Sequence, residues 1–121
     1  MTHDGTPILD DAVLDELRDA TGGDEAFIVD LVETYIAEGG ANLDGMIAAA
    51  GAGDSAAIVR PAHTLKSSSA SLGATRLADI CRGIEEAGRA ARAEGLGDDV
   101  ELARTTWQET LDAFAGLGYG R

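Results

Sequence analysis

The sequence predicts an all-α protein, an antiparallel four-helix bundle with an additional short N-terminal helix. Three observations carry that expectation. Apolar residues recur every three or four positions along five segments, the spacing of one helix face. Alanine and glycine are abundant, proline stands only at positions 7 and 61, and strand-forming runs are missing. Short glycine-bearing connections separate the segments, which returns each long helix antiparallel to the one before.

The first helix is expected over about 11–20, with Asp10 as N-cap and Leu14 and Leu17 facing inward. Gly22 and Gly23 stop it. Asp24 caps a long second helix whose apolar positions are Ile28, Leu31, Val32, Tyr35, Ile36, Leu43, Met46, Ile47 and Ala50. Gly39, Gly40 and Gly45 each lower its intrinsic stability by about 1 kcal/mol relative to alanine, but the periodicity continues through them. Asp54 caps the third helix, which runs to about Leu72. Pro61 deprives the Ala57 carbonyl of its usual donor, so a bend or a separate turn over 54–59 is expected. After Gly73, the fourth helix aligns Leu77, Ile80, Cys81, Ile84, Ala87 and Ala91. Gly95 to Gly97 precede the fifth, where Asp98 and Glu101 resemble a capping box and Val100, Ala103, Trp107, Leu111 and Phe114 form the stripe. The chain reads as one domain over 1–121, with a core of about 8–115 and flexible segments at 1–7 and 116–121.

A formal net charge of −13 argues against nucleic acid or an anionic membrane as partner. Its distribution is more informative. From Arg60 to Arg92 there are six basic and three acidic residues, net +3, which leaves −16 on the remainder. A positive island in an acidic protein is a candidate anion site. Cys81 is the single cysteine, which excludes an internal disulfide and reads as core, as do Tyr35 and Trp107. No stretch approaches the roughly 20 apolar residues of a membrane span, and the first residues lack signal-peptide features. A cytoplasmic protein is expected.

The third helix holds the chemistry. At about 100° per residue, Ile58, Ala62, Leu65, Ser69 and Leu72 fall in one sector of roughly 80°. His63 lies more than about 100° from the middle of that sector, so it points outward. Arg60 and Lys66 flank it, and Val59, Ser67 and Ala70 surround it with modest side chains. An imidazole nitrogen attacks phosphorus only when neutral, and a phosphoryl group on it adds about two negative charges that adjacent cations can balance. Small neighbours leave room for a partner to align its own acidic site. Positioning and charge neutralisation are the main demands of phosphoryl transfer.

The run AHTLKSSSASLGA, residues 62–74, resembles the signature of histidine-containing phosphotransfer domains. It has the His, an apolar residue, Lys three after the His, small residues and then Gly-Ala. LADICRGIEEAGR, residues 77–89, is similar to that family's next helix, and the likeness covers nearly the whole chain. The resemblance implies a phosphoryl carrier with His63 as phosphoacceptor and donor, and Lys66 as its phosphate-supporting neighbour. Arg60, Ser67 and Arg89 would support it further. Ser67 stands where the family often has glycine. The implied partners are response-regulator receiver domains and a hybrid histidine kinase, met by a monomer through Val59, Ala70 and Gly88. No cofactor is expected on this chain, and Mg²⁺ belongs to the partner receiver.

Rival readings find less support. A glycine-rich phosphate loop and a Cys or Ser nucleophile beside a His base are both missing. Thr64 follows His63 where sensor-kinase dimerisation helices carry an acid. A carboxylate-bridged metal bundle would need Glu-x-x-His, and Arg60 occupies the Glu position. A module of the same fold that docks a receiver without transfer is the remaining alternative. Lys66 reads as exposed, so its removal is expected to cost no more than about 0.5 kcal/mol.

Overall fold

The computed structural model describes residues 6–120. Five helices make up the fold: α1 Asp11–Ala20, α2 Glu25–Gly51, α3 Ser55–Ser71, α4 Thr75–Arg89 and α5 Leu96–Gly116. There is no strand among the described residues. Contacts between helices form a ring, in which α3 and α5 each pack against both α2 and α4, while α1 rests on α2. The ring encloses Val32, Met46, Ile58, Leu65, Leu77, Ile84 and Phe114, all essentially without solvent exposure. Tyr35 lies among them with its ring against Trp107 and Phe114, and its hydroxyl shares a 2.7 Å hydrogen bond with buried Ser69. Ile47, expected inward, is 40 % exposed. Gly39 takes its share of the buried face because a Cβ there would stand 2.5 Å from the Trp107 ring.

The first three helices begin where short acidic side chains cap them. Asp10, Asp24 and Asp54 accept from the backbone N–H groups of Ala12, Phe27 and Ala57. α2 runs unbroken through its glycines. α3 is likewise continuous through Pro61, so the separate turn over 54–59 does not form. The lost donor is absorbed within a helix held by packing. Pro61 faces Gly45 of α2, where a Cβ would stand 3.5 Å from the proline ring.

The α4–α5 connection departs from expectation. α4 ends at Arg89 rather than near Gly95, and α5 starts at Leu96, which places Asp98 and Asp99 in its first turn instead of at a cap. The closing turn is made by Ala91 at φ 58°, with Arg92 N–H donating to Ala87 O at 2.9 Å. This is the glycine position of a left-handed helix stop, filled by a residue with a Cβ. Ala91 is exposed, so the methyl group has little packing to lose. Ala91→Gly is expected to stabilise the protein by about 0.5–1 kcal/mol, read as a melting point a few degrees higher. A lower melting point would mean that the Ala91 methyl packs favourably after all.

Residues near both ends of the described chain bond to the helices. Arg76 donates through Nε to Thr6 O at 2.7 Å, and its N–H donates to Pro7 O at 3.1 Å. Asp10 N–H donates to Gly73 O at 2.7 Å, and Gly73 holds φ 82° there with no space for a Cβ against Asp10. At the other end Tyr119 is 4 % exposed. Its hydroxyl donates to Glu25 and accepts from Arg18. Of the segments expected to be flexible, residues 6–7 and Tyr119 thus bond to the helices, and residues 1–5 and 121 lie outside the described residues.

Candidate functional site

The site is built on the contact between α3 and α4. Gly88 of α4 lets the two helices approach closely: a Cβ there would lie 2.8 Å from both Ser55 O and Ile58 Cγ2. One turn earlier on α4, Glu85 is thereby brought against the outward face of α3. Its carboxylate is 7 % exposed and collects three partners. His63 Nδ1 lies 2.9 Å from Oε2, and Arg89 donates to the same oxygen through Nε at 3.1 Å and Nη2 at 2.7 Å. Lys66 Nζ stands 2.7 Å from Oε1 as an ion pair, off the direction of a good hydrogen bond. The Lys66 ammonium beside Oε1, more than the bonds from Arg89 and His63, holds the Glu85 carboxyl down to about 2 against the opposing effect of burial. Because this value lies below the ordinary one, the stabilisation is full above about pH 4.5 and is lost as pH falls through about 2.

An ionised carboxylate only accepts hydrogen bonds, so the proton of a neutral His63 ring must sit on Nδ1. Nε2 then carries the lone pair. The His63 side chain is 52 % exposed, so this nitrogen is available to a reagent arriving from solvent. Arg60, Val59, His63, Thr64 and Arg89 line a recess of about 450 Å³ beside the ring. The arrangement is an oriented nucleophile with cations on both sides.

Residues 30–116 match the sequence model of the Hpt domain. The chain belongs to the Hpt domain family. It is also similar to a solved structure, the crystal structure of histidine-containing phosphotransfer protein B (HptB) from Pseudomonas aeruginosa PAO1. That match has a TM-score of 0.83 at 28% identity, over 93% of this chain and 95% of the other. A search of curated proteins found no significant match. Hpt domains are phosphocarriers of phosphorelay signalling that interact with receiver domains.

In this Hpt domain the sequence-derived candidates are only partly brought together. His63, Lys66 and Arg89 converge on Glu85. Arg60 and Val59 border the recess at His63. Ser67 and Ala70 line a second recess of about 460 Å³ beyond Lys66, with Thr75, Ala78 and Arg82 across it, and Ser67 makes no bond to His63. Gly88 requires correction. It is buried under Ile58 and Val59, so it spaces the helices and offers no surface to a partner.

Glu85 is the residue that sequence reasoning missed. The signal was there: it lies four residues after Cys81, on the face that α4 buries, where an unpaired acid would be costly. Lys66 needs correction for the same reason. It was expected to be exposed, and is instead the ion-pair partner of a buried carboxylate with a side chain 29 % exposed. Lys66→Ala is therefore expected to cost about 1–3 kcal/mol, well above 0.5, because the buried Glu85 carboxylate loses the ammonium paired with Oε1. Urea unfolding at neutral pH measures this; a cost under about 0.5 kcal/mol would mean that Arg89 and water replace the ammonium.

Proposed function

We propose that the chain carries a phosphoryl group on Nε2 of His63, taken from the aspartyl phosphate of one receiver domain and passed to another. The observation that carries this reading is the His63–Glu85 bond, which orients an exposed ring with its lone pair outward. Lys66, Arg60 and Arg89 supply positive charge to the phosphoryl group, with the Ser67 hydroxyl further along the face. The chain has no catalytic activity of its own and binds no cofactor; Mg²⁺ is held by the receiver. A hybrid histidine kinase supplies the relay, and the protein works as a cytoplasmic monomer. Among the described residues no helix is long and apolar enough to cross a membrane. The contact ring and the three-residue connection between α2 and α3 support an antiparallel four-helix bundle with α1 across one end.

Incubation with a phosphorylated receiver and Mg²⁺ tests the reading. Acid-labile label must appear on the chain, and peptide mapping must place it on His63. A chain that binds receivers without gaining label would be the regulatory module of the same fold.

Docking follows from charge. The receiver's acidic pocket is repelled by most of this surface and meets positive potential only around His63, between Val59 and Ala70. Association is accordingly salt-sensitive. Ala70 is exposed about 10 Å further along α3 from His63. Ala70→Trp is expected to reduce transfer at least about tenfold without unfolding, by blocking the approach of the receiver. Glu33→Lys on α2 is expected to change it less than about twofold. Loss of transfer in the α2 variant with normal transfer in Ala70→Trp would place the docking face elsewhere.

A further inference from the structure

The carboxylate that orients His63 also holds two cations beside it, Lys66 and Arg89. Arg89 bonds Glu85 Oε2 at 2.7 Å and Lys66 pairs with Oε1 at 2.7 Å, whereas Arg60 on the same rim has no bond to Glu85. Lys66, Arg89 and Glu85 together bring one net positive charge to the imidazole; with a neutral residue at 85 they would bring two. A phosphoryl group on Nε2 must share both cations with the carboxylate and meets its negative charge across the ring, a repulsion that the positive charge of the phosphorylated, Nδ1-protonated ring offsets only in part. Burial of Glu85 limits solvent screening of that repulsion.

We infer that Glu85 sets the equilibrium of the transfer, destabilising the phosphorylated protein so that the phosphoryl group is handed on and not stored. The inference rests on His63 being the phosphoacceptor. In the step itself the Nε2–P bond breaks as a carboxylate oxygen of the receiver's aspartate bonds to phosphorus. The electron pair of the broken bond stays on Nε2, and the Nδ1 proton remains in its bond to Glu85. Nothing is oxidised or reduced.

A residue that only orients the ring alters forward and reverse rates alike and leaves their ratio unchanged. One that interacts differently with the phosphorylated and free ring moves the ratio. This separates the two roles. Glu85→Gln removes the charge and keeps an acceptor for Nδ1. Glu85→Met removes both, and apolar replacement of a buried ionic group is commonly tolerated. Each variant is equilibrated with a phosphorylated receiver and Mg²⁺, with the receiver chosen as one that labels the wild-type chain on His63. The ratio of phosphoprotein to phosphoreceiver is then read, alongside a melting curve.

Both variants are expected to raise that ratio about tenfold over wild type, and the increase should shrink as salt is added. Met is expected to slow the approach to equilibrium more than Gln does, because it also loses the orienting bond. An unchanged ratio with equally slowed rates in both directions would overturn the inference and leave Glu85 as a positioning residue. The carrier reading would survive that result. It fails separately, if wild type acquires no label on His63.

Discussion

His63→Gln is expected to remove all acid-labile label while the bundle melts close to wild type. The two effects separate because the ring does its chemistry on one side and its structural bonding on the other. The His63 side chain is half exposed, so little packing is lost with it. Nδ1 contributes one of several contacts to Glu85, and Lys66 and Arg89 remain to cover the carboxylate. The glutamine amide is itself a donor within reach of the same face. The stability cost should therefore stay within about 1 kcal/mol. Transfer, by contrast, falls to zero, since an amide nitrogen is no nucleophile towards phosphorus. Label that persists in the variant, or that proves stable to acid, would assign the acceptor to another side chain. A melting point lowered by many degrees would mean that His63 holds α3 to α4 more firmly than the half-exposed ring suggests.

How far the site could be read in advance depended on how local each determinant is. Asp10, Asp24 and Asp54 fix helix starts through bonds spanning two or three residues, so α1, α2 and α3 begin where the caps predict. The outward position of His63 follows from the periodicity of its own helix. The end of α4 was not legible, because Ala91 adopts a backbone conformation that alanine disfavours, within a turn closed by the Arg92 N–H to Ala87 O bond. The contacts near the ends were not legible for a different reason. Tyr119 is held by bonds to Arg18 and Glu25, 101 and 94 residues away in the chain. Glu85 reaches His63 across 22 residues, and no local pattern brings the two together. Only its place on the buried face of α4 hinted that it must have partners.

The spacing of α3 and α4 is the feature that makes the pairing possible, and Gly88→Val should destroy it. The Cβ of any side chain at 88 would meet Ser55 O at 2.8 Å, Ile58 Cγ2 at 2.8 Å and Val59 Cγ2 at 2.9 Å. Two of those neighbours are side chains on a packed helix, and the third is backbone, so none can simply rotate away. The helices must separate instead. Overpacking of this kind typically costs 1–3 kcal/mol, and a β-branched residue with three close neighbours belongs at about 3 kcal/mol or beyond. Separation also lengthens the His63–Glu85 bond one turn away, so transfer should fall at temperatures where the variant is still folded. Gly83 supplies the control. It is exposed on the same helix, and a Cβ there meets nothing within 4 Å. Gly83→Ala is therefore expected to stabilise the protein by up to about 1 kcal/mol with transfer unchanged, through helix propensity alone. Melting curves and transfer rates on both variants decide the matter: if Gly88→Val melts and transfers like wild type, the close approach of the helices is not what positions Glu85 against the imidazole.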